Sequence, residues 1–184
     1  MELLSEPIPG VFEVRARVFA DARGSMSETF NRRTMASLGI DADFVQENES
    51  RSTHRGTVRG LHLQADPHAQ GKLVRVIRGA ILDVAVDLRP DSRSRLEHVC
   101  VELRENDARA LWIPPGFAHG FCTLAEDTVV TYKVTDFYAP ETEHTIRFDD
   151  PDLGIDWPVT ANDAVLSDKD AAAFGLADYL ESAS

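Results

Sequence analysis

The chain is poor in the features that mark stapled, membrane-spanning or nucleic-acid-binding proteins. Only two cysteines, Cys100 and Cys122, occur in 184 residues, too few for a disulfide framework or a thiolate metal cluster. No apolar run approaches the roughly 18 residues that a membrane span needs. The longest, AILDVAVDL at 80–88, is interrupted by Asp83 and Asp87. The opening MELLSEPIPG lacks the basic and apolar regions of a secretory leader, so a cytoplasmic protein is expected. Basic residues are outnumbered, 19 against 31 acidic ones, for a net charge of −12. That balance argues against nucleic acid and against anionic membrane as partners. Lysine is scarcer still: Lys72, Lys133 and Lys169 are the three, and the other sixteen of the 19 basic residues are arginines.

What is present is a hydrophobic content of 43%, enough for a packed core and incompatible with disordered or collagen-like classes. One domain over 1–184 is expected, with its core at about 10–172 and a helical tail over 167–184. The dominant period is two. Val14, Ala16 and Val18 alternate with arginines over 14–19. In 81–88, Leu82, Val84, Val86 and Leu88 oppose Ile81, Asp83, Ala85 and Asp87, and 98–104 alternates likewise. Such alternation predicts half-buried strands, joined by 73–77, 109–113 and 128–135. Turn signals are frequent, among them Arg78-Gly79, Arg89-Pro90-Asp91 and Pro114-Pro115-Gly116. Short strands at that spacing predict an antiparallel sandwich or barrel, with helix confined to 31–39, stopped by Gly39, and to the stretch after Ser167.

Charge is distributed unevenly. Residues 51–95 hold nine Lys and Arg against four Asp, a local +5 in a chain of −12. This suits a small anionic ligand, or else charges scattered over strand surfaces. Polar residues interrupt strand patterns at Arg59, His62 and Gln64, at His119 between aromatics and glycines, and at Tyr132, which alternation sets on the face opposite Lys133. A metal barrel of the His-x-His type would need a second imidazole where Gln64 stands, so no metal is expected. His62 is then either a satisfied core histidine or a general base. Asp170, three residues after Ser167, fits a helix capping box or the carboxylate partner of a histidine, and the two are compatible.

Eight collinear segments now carry a resemblance: ARGSMSETF at 22–30, QEN at 46–48, TVRGLHLQ at 57–64, QGKLVRVIRGAILDVAVDLR at 70–89, IPPGFAHGF at 113–121, YKVTDFY at 132–138, DDPDLGIDWP at 149–158 and LSDKD at 166–170. Together they resemble the dTDP-4-dehydrorhamnose 3,5-epimerase family. The resemblance implies an all-β, cupin-type β jelly roll with short peripheral helices, a homodimer, no cofactor, and a dTDP-linked 4-keto-6-deoxyhexose as substrate. It implies His62 as the base with Asp170 as its partner, Tyr132 as the acid, and Lys72 beside the C4 oxygen. His119 is implied as a further sugar contact. Arg23, Glu28, Gln46, Asn48 and Arg59 are implied as nucleotide and pyrophosphate contacts, Tyr138 as the ring stacked on thymine, and Glu143 and Lys169 as further ligand contacts. Inversion at C3 alone or C5 alone would use the same residues, and a non-catalytic nucleotide-sugar-binding barrel is the alternative from another class.

Overall fold

The computed structural model describes residues 1–182. Among the described residues thirteen strands are formed. A six-stranded antiparallel sheet has the order β1 (Glu2–Ile8), β2 (Val11–Arg15), β10 (Arg109–Ile113), β7 (Lys72–Arg78), β12 (Thr128–Val134), β5 (Gln46–Ser52). A five-stranded sheet has the order β13 (Glu143–Thr145), β6 (Val58–Gln64), β11 (Phe117–Thr123), β8 (Ala80–Asp87), β9 (His98–Arg104). The remaining two, β3 (Val18–Asp21) and β4 (Gly24–Ser27), pair only with each other. Non-sequential neighbours in both sheets give the jelly-roll wiring, as the all-β reading anticipates.

Three apolar layers follow from the alternation. Between the sheets, Val74, Val76 and Val130 of the larger meet Ile81, Ala85, Leu103, Phe117 and Phe121 of the smaller. On the far side of the smaller sheet, Leu61, Leu63, Val84, Val86 and Ala118 are covered by Ile146, Leu153 and Leu176. On the far side of the larger sheet, Val14, Leu73, Ala110 and Trp112 are covered by Met35 and Ile40. Met35 belongs to α1 (Arg32–Ser37), whose Asn31 cap accepts hydrogen bonds from the Arg33 and Thr34 amides. Gly39 follows at φ +92°, a left-handed turn that ends the helix.

Two expectations are corrected, and the helical tail gains detail. The 14–19 run is not one strand: Val14 lies in β2 and Val18 in β3, and the chain breaks between them where the Ala16 amide bonds the Ala108 carbonyl. The 81–88 strand is not half-buried, because β8 is covered on both faces and its two aspartates point into the barrel instead of into solvent. The tail is two short helices, α2 (Asp168–Ala171) and α3 (Leu176–Ser182), with exposed Phe174 between them; positions 183 and 184 of that expected segment lie outside the described residues. Among the described residues no helix is long and apolar enough to cross a membrane.

Candidate active site

Polar side chains on the inward faces of both sheets meet in a cleft of about 170 Å³, lined by Arg59, His62 and His119 of the smaller sheet, Lys72 and Tyr132 of the larger, and Asp170 of α2. Period-two alternation would send Arg59 and His62 to opposite faces of β6. A bulge prevents this. Against β11, His62 pairs with His119 but Arg59 pairs with Phe121, so three steps on β6 match two on β11, and both side chains face inward. Glycine makes the bulge possible: Gly60 has φ +126°, and a Cβ there would lie 2.5 Å from the Gly120 Cα.

His62 Nε2 lies 2.6 Å from Asp170 Oδ1. The Ser167 hydroxyl donates to Asp170 Oδ2 at 2.7 Å and accepts from the Asp170 amide at 3.2 Å. Helix cap and carboxylate partner are therefore one arrangement, though the return arm of the box reaches the Ser167 hydroxyl instead of its backbone amide. Burial alone would raise the Asp170 carboxyl, but the hydrogen bonds from His62 and Ser167 outweigh it and hold it below the ordinary range. An ionised Asp170 only accepts, so Nε2 carries the imidazole proton and Nδ1 keeps the lone pair.

Lys72 is buried and donates to the His62 carbonyl at 3.3 Å. Burial pulls its ammonium down to about 8, and the charges of Asp83 and Glu143 offset part of that. Burial also raises the Tyr132 phenol, with Arg59 working against it. His119 is buried on β11, 2.7 Å from Asp83 Oδ1; burial lowers its pKa more than Asp83 raises it, so it stays neutral and donates.

The nucleotide-side candidates divide into two groups. β5 is polar throughout, and its even-numbered residues turn inward: Gln46 donates to Asn48 at 2.8 Å, and Arg59 reaches across to the Ser52 hydroxyl at 3.1 Å. Tyr138 donates its hydroxyl to Glu143 at 2.9 Å, and Lys169 pairs with the other Glu143 oxygen at 2.6 Å. Glu143 and Lys169 also border a larger neighbouring cleft of about 610 Å³ beside α3. Arg23 and Glu28 stand apart. Arg23 sits on the β3–β4 hairpin, 90% exposed and, among the described residues, ion-paired with Asp21 alone, while Glu28 is exposed just beyond it. The basic segment 51–95 is dispersed as well: Arg59 and Lys72 reach the cleft, whereas Arg51 pairs with Glu49 outside and Arg89 is held by Asp87.

Comparison with known proteins is decisive at this point. The family model for dTDP-4-dehydrorhamnose 3,5-epimerase matches residues 5–178. The chain belongs to this family. It is 48% identical to the dTDP-4-dehydrorhamnose 3,5-epimerase of Sinorhizobium fredii, covering 86% of this chain and 81% of that one. The structure of the Bacillus anthracis dTDP-4-dehydrorhamnose 3,5-epimerase with TDP and PPi bound superposes with a TM-score of 0.92 at 40% identity, covering 95% of this chain and 99% of that one. The Legionella pneumophila dTDP-6-deoxy-D-glucose-3,5-epimerase in complex with dTDP-4-keto-L-rhamnose gives 0.90 at 42% identity, covering 96% and 93%. A 3'-monoepimerase of Streptomyces bikiniensis in complex with dTDP-quinovose gives 0.88 at 32% identity, covering 97% and 89%.

Residue-by-residue reading of the sequence passed over two groups at the site. Ser50 and Ser167 line the cleft without any sequence signal beyond their place in polar strands and caps. Asp83 had one: it is a charged residue in the longest apolar run of the chain, where a buried partner must be sought.

Proposed function

We propose that this epimerase-family protein inverts C3 and C5 of dTDP-4-dehydro-6-deoxy-D-glucose, giving dTDP-4-dehydro-L-rhamnose. The observation that carries the reading is the His62–Asp170 pair of one wall sharing a cleft with Tyr132 and Lys72 of the other. The 4-keto group makes the protons on C3 and C5 acidic. His62 takes the proton at Nδ1, and Asp170 fixes the ring and stabilises the imidazolium that forms. The electron pair of the broken C–H bond moves into an enolate whose charge rests on the C4 oxygen, beside the Lys72 ammonium. Tyr132, kept protonated by burial, returns a proton to carbon from the opposite wall; solvent then reprotonates its phenolate and takes the proton from the His62 imidazolium. The route draws on side chains alone. Asp83 acts as a positioning residue, through His119.

Arg59, Gln46 and Asn48 fit the diphosphate and sugar hydroxyls, and Tyr138 fits the thymine ring, framed by Glu143 and Lys169. Arg23 and Glu28 reach a site only if a second copy supplies them. The hairpin that carries Arg23 also exposes Val18, Phe19 and Met26, an apolar surface suited to a homodimer. A dTDP-sugar substrate fits a cytoplasmic enzyme.

Proton NMR of dTDP-4-dehydro-6-deoxyglucose with the protein in D₂O tests the reaction. Deuterium at both C3 and C5 is expected. Deuterium at one carbon makes the protein a monoepimerase, and none at either removes His62 from catalysis on this substrate. Mixing inactive His62→Ala and Arg23→Ala chains tests the shared site: one intact site per mixed dimer restores about a quarter of wild-type activity. A mixture that stays inactive refutes the shared site.

A further inference from the structure

Gln64 stands on the inward face of β6, two residues beyond His62, where a His-x-His barrel would carry its second imidazole. The residue is 5% exposed, and among the described residues its side chain hydrogen-bonds no candidate site side chain. Its amide is spent entirely on backbone. Nε2 donates to the His68 carbonyl at 2.7 Å and the Phe137 carbonyl at 3.1 Å, while Oε1 accepts from the Ala139 amide at 3.1 Å. These three groups have fixed polarity, two acceptors and one donor, and among the common side chains only a primary amide answers all of them at one position. Glutamate would set a carboxylate against two carbonyls, and a neutral histidine would offer one donor where two carbonyls need one each.

The bonded backbone brackets Tyr138. Phe137 and Ala139 are its two chain neighbours, its own amide donates to Gln46 Oε1 at 3.2 Å, and its hydroxyl donates to Glu143. Glu143 is the residue opposite Gln64 in the β13–β6 ladder. The exposed ring of Tyr138 is thus carried on a segment clamped from below by Gln64 and from the side by β13. A freely hinged loop would have to be ordered anew at each binding event, an entropic cost that weakens binding.

We propose that Gln64 is a positioning residue for nucleotide recognition: it pre-orders the 136–139 segment so that Tyr138 is presented to the base before the ligand arrives. This rests on the reading of Tyr138 as the base-stacking ring. The inferred effect falls on binding and not on proton transfer, although Gln64 shares a strand with His62.

The test is isothermal titration with dTDP on the full chain, with kcat and KM for the 4-keto sugar nucleotide and thermal unfolding alongside. Gln64→Leu is expected to weaken dTDP binding and raise KM about tenfold while kcat changes by less than about twofold. Gln64→Met, closer in length, stands in if the leucine variant does not fold. The double variant with Tyr138→Ala is expected to bind no more weakly than Tyr138→Ala alone, because both changes remove the same contact. If Tyr138→Ala weakens dTDP while Gln64→Leu lowers only the melting temperature, or if the two effects add, the inference is overturned and the stacking role stands. If Tyr138→Ala leaves dTDP affinity unchanged, the stacking role fails first, and the inference with it.

Discussion

Asp83 and Asp87 lie four residues apart on the same face of β8, and both are fully buried, but their surroundings differ completely. Asp87 is saturated: it accepts from Arg89 Nε at 2.8 Å and its terminal nitrogen at 2.6 Å, from Ser92 at 2.5 Å and from Ser94 at 2.7 Å. Burial would raise its carboxyl, and these donors hold it down at about 2. Asp83 has His119 on Oδ1, while its Oδ2 has no hydrogen-bond partner among the described residues. A carboxylate with every lone pair occupied is a fixed structural joint, here tying the β8–β9 loop to the Pro9 turn through Arg89. One left half-satisfied is retained at a cost to stability, and such groups belong to sites. On the proposed reading, the strand changes from scaffold to chemistry within four residues.

The largest expected effect is on the scaffold side. Asp87→Ala removes the acceptor for Arg89, Ser92 and Ser94, and is expected to cost about 3 kcal/mol of stability in urea unfolding. The turnover of the remaining folded protein should be unchanged. Loss of turnover without loss of stability would reverse the assignment of the two acids. Next in size, Asp83→Asn leaves a neutral amide beside His119 and Lys72. It is expected to lower kcat by about 10²-fold, the scale of losing one preorganised group at a developing oxyanion. Its urea midpoint should hold or rise, since a half-satisfied buried charge is gone.

The same contrast shows what sequence could and could not reveal. Alternation located β8, β9 and β12 because one face of each strand is apolar and the other is polar. It could not tell which face meets water: on β8 the apolar face is roofed by Leu153 and Leu176, and the polar face looks into the barrel. β5 escaped notice because both its faces are polar, the inner one lining the cleft. β11 escaped because both its faces are buried, with Gly120 and His119 breaking the apolar run. Within the site, motifs named His62, Tyr132 and Asp170, yet simple alternation would have separated Arg59 from His62. The Gly60 bulge that unites them depends on contact with Gly120 across the sheet, a distance of sixty residues in sequence that no local pattern encodes.

A third, smaller effect separates the acids by titration. Asp87 is depressed to about 2 from an ordinary 3.8, so the unfolded chain binds its proton first as pH falls. Its stabilisation is complete above about pH 4 and is lost between there and about 2, amounting to about 2 kcal/mol. Acid unfolding of Asp87→Asn should lack that component. An acid limb as steep as in the parent chain would mean that other carboxylates carry it.

The smallest effect is a shift along the alkaline side of the rate profile. Burial sets Lys72 at about 8, with Asp83 the leading charge that resists the fall. The enolate needs the ammonium form, so kcat/KM is expected to decline tenfold per unit as pH rises beyond about 8. Without the Asp83 charge the ammonium is harder to hold, and Asp83→Asn should move that limb downward by less than about one pH unit. Asp87→Asn should leave the limb in place, because Asp87 is not among the charges that act on Lys72. Equal shifts in both variants would show that the two carboxylates act through a common field, and the functional boundary between residues 83 and 87 would disappear.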